Sequence, residues 1–172
     1  MQKLILGIVA ALSLSVSASQ GGKTVLMTES EYSHEYEIAL KQIQHKDKGK
    51  AFNTMLTYAK YGEKVAQYMV ANFYLTGTGT EQNVQEGLVW MGVAVEQHTK
   101  EWEDAYEKMT SKLPPEQLEF LNKLVAERTS LYGAKAQFMR CEIEPVTGSN
   151  RRFHVCTKTI DSIKRVTVVK YE

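Results

Sequence analysis

A shift of 36 residues lays one part of this chain on another, and no other feature restricts its fold so strongly. Lys50-Ala51-Phe52 falls on Glu86-Gly87-Leu88, Met55 on Met91 and Ala59-Lys60 on Val95-Glu96, with Gly62 and His98 closing the two copies. A period of this length marks stacked helix pairs, which have no core until neighbours cover one another's apolar faces. The upstream copy is degenerate. Its first helix, over residues 30–44, keeps Tyr32 under Tyr68 and Ile38 under Tyr74 but has no glycine turn, so it reads as an eroded repeat or a cap.

In the second copy the helices are explicit. Ala66, Met69, Val70, Phe73 and Tyr74 recur at the spacing of one buried helical stripe. Asn83 stands as an N-cap with Glu86 three residues on, and Val84, Leu88, Met91 and Val95 then repeat at three and four. Between the two helices lie Gly77 and Gly79. A phosphate-cradling loop would need a strand before it and a cation or helix start directly after it. Here a helix precedes, and the first lysine downstream is Lys100. A glycine just past a helix end supplies instead the left-handed backbone that closes the last turn. The spacing predicts two antiparallel helices joined by a glycine turn.

These residues carry a resemblance. Ala66-Gln67-Tyr68, Phe73-Tyr74-Leu75-Thr76-Gly77-Thr78-Gly79, Asn83, Gly87-Leu88, Trp90, Ala94 and Glu96-Gln97 resemble one complete Sel1-like repeat, a relative of the tetratricopeptide repeat. The likeness covers these 36 residues well and the preceding 36 poorly. Ala71, Thr80 and His98 depart from the pattern, which usually has glycine, valine and a closing glycine there. The resemblance implies a mainly α fold, an antiparallel helix-pair array of the Sel1 and tetratricopeptide kind. It also implies a curved surface that binds peptides or protein segments, often in bacterial envelope or signalling assemblies. Tyr68, Tyr74, Trp90 and Trp102 are the aromatics available to line such a groove. Tyr74 and Trp90 read more readily as core, which leaves Tyr68 and Trp102 as candidate partner-binding residues.

Beyond the repeat, Trp102, Ala105, Tyr106, Met109 and Leu113 mark another amphipathic helix, stopped at Pro114-Pro115. Pro115 opens the next one with Glu116 at its positive end, and Leu118, Leu121, Leu124, Val125 and Leu131 carry it to Tyr132-Gly133. Both helices shield the open end of the array, so residues 31–136 form the repeat domain with its capping helices.

Residues 137–172 change character and read as a β-hairpin with a strand extension. The midpoint between Cys141 and Cys156 falls between Gly148 and Ser149, so a symmetric hairpin sets the cysteines opposite each other. A loop over residues 147–150 puts Pro145 and the cysteine pair at non-hydrogen-bonded positions. That suits a residue without an N–H and suits a cross-strand disulfide. Closing such a loop contributes roughly 3 kcal/mol in the chain-entropy model. A metal site is the other reading of the same residues, with His154 joining Cys141 and Cys156 on one strand face as three ligands at most. The disulfide is favoured. Ile160, Ile163, Val166, Val168 and Val169 either add a third strand or leave the edge open. Arg151 and Arg152, at the hairpin tip, are candidates to grip an acidic partner, against the simpler reading of a solvated turn.

The remaining features set compartment and exclusions. Lys3, the apolar run from Leu4 to Leu14 and Val16-Ser17-Ala18 read as a signal peptide over residues 1–18, cleaved after Ala18. Residues 19–30, small, polar and without period, read as a flexible leader. The mature chain is thus expected in the periplasm or secreted, where two cysteines pair. Without Lys3 the 21 Lys and Arg fall level with the 20 Asp and Glu, leaving no net charge to draw nucleic acid or an anionic membrane. No later segment has the length and apolarity of a membrane span. The four histidines show no paired metal spacing, no serine sits in a nucleophile elbow, and Glu101, Glu103 and Asp104 crowd one solvated helix segment. No cofactor is expected. The reading is a non-catalytic adaptor or scaffold that holds a protein or peptide, with an envelope enzyme or small-ligand-binding protein acting through the hairpin as the alternative. An exposed apolar groove would mark the first, and a pocket where titratable groups meet would mark the second.

Overall fold

The computed structural model of the chain describes residues 21–43, 47–145 and 152–171. The stretch expected to be a signal peptide, the hairpin loop and Arg151 lie outside the described residues. Six helices dominate: α1 (Glu29–Ile43), α2 (Lys48–Lys60), α3 (Lys64–Thr76), α4 (Val84–Ala94), α5 (Lys100–Thr110) and α6 (Pro115–Tyr132). Four strands accompany them: β1 (Lys23–Thr28), β2 (Met139–Pro145), β3 (Arg152–Lys158) and β4 (Arg165–Lys170).

The 36-residue period is visible atom by atom. Asp47 and Asn83 occupy equivalent positions, and each side chain accepts the backbone N–H three residues on, Lys50 N and Glu86 N, at 3.0 Å. A short polar side chain at this place satisfies one of the N–H groups that a helix start leaves unpaired. At the other end of the pairs, Gly62 has φ 95° and His98 has φ 53°. The left-handed requirement therefore persists in the copy that lacks the glycine.

The two turn glycines have separate reasons. Gly77, at φ 69°, closes α3, and the N–H of Thr78 donates to Phe73 O at 3.0 Å. Gly79, at φ 73°, is pressed against the start of α2, where a Cβ would lie 2.2 Å from Lys48 O. The loop is a turn that also stacks one repeat on the next.

Helix α4 is the middle of the molecule. Every residue from Gly87 to Ala94 is buried, because α3 covers one flank while α5 and α6 cover the other. From Gly87 on, the helix is apolar all round since no face meets water there. Trp90 and Met91 are each 1% exposed, and burying side chains of this size stabilises by roughly 1.5–3 kcal/mol apiece. Tyr74 packs edge-on against Phe52, with ring centroids 5.2 Å apart. Trp90 and Tyr74 are thus packing residues.

The chain ends depart from expectation. Residues 19–30 were expected to be a flexible leader, yet Lys23–Thr28 forms β1, antiparallel to β4 with Val25 opposite Val168 and Met27 opposite Val166. Burial of the β4 valines supplies the reason: Val166 and Val168 are 2% and 0% exposed and belong to the main core, so they bring a strand partner with them. β4 is also not a third strand of the hairpin. Its residues pair with β1, and only the isolated bridge Ile160 to Val166 links it to the chain leaving β3. Ile163 sits in the intervening turn and is 64% exposed.

The hairpin has the expected register. Cys141 faces Cys156, Pro145 faces Arg152, and the two cysteines form a disulfide with Cα atoms 3.9 Å apart. Both sulfurs are consumed in that bond, which rules out the thiolate metal site.

Candidate functional site

Tyr68 on α3 and Trp102 on α5 do meet. Their rings stack with centroids 4.6 Å apart and planes 8° from parallel, each half-buried. Such a pair contributes about 0.5–1.5 kcal/mol beyond its buried area. Each ring therefore covers one face of the other, and the pair forms a single platform rather than two walls of an open groove. Arg152 is exposed at the start of β3.

The strongest electrostatics lie where the array meets the strands. Lys64 is 1% exposed and donates from Nζ to Gln67 Oε1 at 3.0 Å and to Glu96 Oε2 at 2.5 Å. Glu96 also accepts Ala134 N at 3.0 Å. Gln67, fully buried, donates to Ala59 O and Tyr132 O at 3.0 and 2.8 Å. Burial pulls the Lys64 ammonium down from the usual lysine range, opposed by the Glu96 carboxylate. Glu63 is pushed up by burial although the Tyr32 hydroxyl donates to it at 2.6 Å.

A second set covers the open edge of β4. Gln137, 0% exposed, donates from Nε2 to Val169 O and accepts Val169 N at Oε1, both at 3.0 Å, and donates again to Leu131 O. Its amide behaves towards Val169 as a neighbouring strand would, which hides that part of the edge. Lys158 donates to Gln137 O at 2.6 Å and Thr167 O at 3.3 Å. Burial brings its pKa down to about 8, with the Glu63 charge acting the other way.

Perturbed titratable groups often mark chemistry, but ion-pair networks perturb them too. Here every named donor ends on an internal acceptor. The polar seam joins α3, α6, β3 and β4, and its groups are satisfied by one another. Gln67 and Glu96 enter the sequence reading only through the repeat likeness and Lys64, Gln137 and Lys158 not at all, although Lys64, Gln67 and Ala71 share one face of α3, a placement that signals burial of the two polar ones.

Two of the surface concavities among the described residues bear on function. One, of about 640 Å³, lies between β2 and β4 and is lined by Lys135, Phe138, Met139, Asp161, Arg165 and Thr167, among others. Its charged pair is self-contained: Arg165 Nε donates to Asp161 Oδ2 at 2.8 Å, and Asp161 also accepts the N–H groups of Ile163 and Arg165. The other, of about 230 Å³, is formed by Val84, Gln85 and Leu88 of α4 with Leu113, Gln117, Phe120 and Leu121. No ionisable side chain lines it, and Val84 and Phe120 are 55% and 54% exposed. Sequence reasoning placed the partner surface on Tyr68, Trp102 and the hairpin-tip arginines and missed this groove, because Val84 reads as a member of a buried stripe and Phe120 lies outside the stripe of its helix.

No helix among the described residues is long and apolar enough to cross a membrane. No protein-family model matches the chain, and no curated protein matches it significantly. Among solved structures, c5321, a protective antigen of uropathogenic Escherichia coli strains displaying an SLR fold, superposes with a TM-score of 0.53 at 20% identity. The match covers 72% of this chain and 28% of that one, so this chain spans little more than a quarter of the neighbour's length. At this identity the likeness is one of fold: a mainly α, Sel1-like helical repeat architecture, here closed by a disulfide-bonded β-hairpin.

Proposed function

We propose that the protein is a non-catalytic interaction module of the bacterial envelope, exported to the periplasm or secreted, that holds a partner protein or peptide through the apolar groove between α4 and α6. The observation that carries this reading is the groove itself: exposed apolar side chains, polar neighbours limited to two glutamine amides, and no ionisable group. In a stacked array the terminal face is the one the next helix pair would cover, so the partner segment is taken to be an amphipathic helix laying its apolar side on Val84, Leu88 and Phe120. The disulfide supports an oxidising compartment.

Affinity capture from envelope extract with Val84→Glu and Phe120→Glu, compared with Tyr68→Ala and Trp102→Ala, tests the assignment. One protein enriched by the wild type, lost in the groove variants and kept by the platform variants is the expected result. A partner retained by folded groove variants removes the groove. Loss only in Tyr68→Ala and Trp102→Ala returns the site to the stacked pair.

A further inference from the structure

His98 and His154 are far apart in the chain, yet their rings lie edge to face with centroids 5.0 Å apart. Each Nδ1 is 3.0 Å from an oxygen: Glu103 Oε1 for His98 and the Gln97 carbonyl for His154. A carboxylate and a carbonyl can only accept. In the neutral rings both Nδ1 atoms therefore carry the proton, and both Nε2 atoms keep a free lone pair. An imidazole whose N–H is held by a carboxylate or a backbone carbonyl is oriented as metal-ligating histidines are.

The backbone supplies a second observation. His98 holds φ 53° at the place where the preceding repeat has Gly62, so a side chain is carried at a position where glycine costs less. That side chain is 65% exposed, which leaves it accessible to an ion and free to adjust.

We propose that His98 and His154 form a two-histidine site for a divalent late first-row transition ion, Cu²⁺, Ni²⁺ or Zn²⁺, with water completing the coordination. Imidazole suits these ions, whereas Ca²⁺ and Mg²⁺ want oxygen ligands. Two nitrogens at about 2.0–2.1 Å from one ion are at most about 4 Å apart, which asks the exposed His98 ring to adjust from the edge-to-face arrangement with centroids 5.0 Å apart. Among the described residues no group of three or more His, Cys, Asp and Glu side chains could hold a metal ion, so the protein provides two ligands, with Glu103 and the Gln97 carbonyl as ring-positioning groups. An ion bound here would pin β3 to the turn after α4, because His154 belongs to the hairpin and His98 to the array. The site is independent of the groove between α4 and α6.

The test uses the tag-free full mature chain, stripped with chelator, and titrates Ni²⁺ and Zn²⁺ by calorimetry while the imidazole signals are followed by NMR. One equivalent is expected, perturbing His98 and His154 together. His154→Ala and His98→Asn, the latter a residue that tolerates left-handed backbone, should each abolish it, while His34→Ala leaves it intact. Glu103→Gln should weaken it roughly tenfold, as loss of such an orienting partner does. The absence of saturable binding, or binding that survives in folded His154→Ala or His98→Asn, overturns the proposal. Because His98 is exposed, its variant stays folded and keeps the test decisive should His154→Ala destabilise the hairpin.

Discussion

Two seams hold this molecule together, and they are made of different materials. Around α4, contact with α3, α5 and α6 is sealed mainly by apolar surface, with Leu88, Val89, Trp90, Met91 and Val93 all buried and one ion pair at the edge, where Arg128 donates to both Glu86 carboxylate oxygens at 3.0 Å. Where the array meets the strands, the seal is polar: Lys64, Gln67 and Gln137 are as buried as Met91, and each is committed to named hydrogen bonds. Apolar contact depends on volume and does not titrate. A polar seam depends on having every partner present, because a single orphaned donor costs more than the average bond contributes.

Truncation separates the two at the largest scale. Met91→Ala leaves a cavity in the centre of α4, and a loss of about 2–5 kcal/mol is expected, read as a lower denaturant midpoint at unchanged slope. Gln137→Leu nearly keeps the volume but orphans Val169 N, Val169 O and Leu131 O. At roughly 1–3 kcal/mol for a buried unsatisfied group, a total near 2–3 kcal/mol is expected, together with faster amide exchange at Val169. If Gln137→Leu is neutral, the polar seam is dispensable and the contrast fails.

The sequence exposes the first seam far better than the second, for physical reasons. Helical stripes such as Ala66, Val70 and Phe73 announce themselves within one turn of chain, and the turn glycines punctuate them. The hairpin register follows from Pro145 and two cysteines because proline and a cross-strand disulfide restrict the same positions. Strand β1 had no comparable signal: Lys23–Thr28 is six residues long, and its partner is at the opposite end of the chain. Lys64, Gln67, Gln137 and Lys158 carry side chains that ordinarily face water, so composition argues against the burial that tertiary contacts impose. Tyr68 and Trp102 were legible as a pair of large aromatics, but not as rings that cover each other. The meeting of His98 and His154 depends on how the hairpin folds back, which no local spacing records.

Acid–base behaviour distinguishes the seams at intermediate scale. In the folded chain Lys158 titrates at about 8, against roughly 10.4 in an unfolded chain. A base with a lowered folded pKa destabilises while charged. Between those two values the unfolded chain holds a proton that the folded one has released, so stability rises as pH climbs through that window. Above about pH 10 the buried tyrosines act oppositely, since burial pushes the phenols of Tyr32, Tyr36 and Tyr58 up. Unfolding free energies from urea melts at about pH 7.5 to 9.5 should therefore increase in the wild type, by on the order of 1 kcal/mol once solvent screening is allowed for. In Lys158→Met that rise should be diminished, leaving the Lys64 contribution of the same sign. A flat wild-type profile would mean that the ammonium is as well solvated as a surface lysine.

The smallest effect concerns His98, which closes the short helical turn Val95–Gln97 after α4. His98 holds a left-handed backbone that costs a non-glycine residue roughly 1 kcal/mol, while its Glu103 contact is exposed and worth little. Removing the side chain also raises the entropy of the unfolded chain, so His98→Gly should stabilise by only about 0.5 kcal/mol or less in metal-free buffer. Its twin, Gly62→Ala, moves the other way, because a Cβ there would meet Gln137 Cβ and Met139 Sδ at 2.8 Å. The same backbone position is thus tolerant at His98, whose side chain is 65% exposed. It is intolerant at Gly62, where the polar seam comes closest, because Gln137 cannot retreat without abandoning Val169.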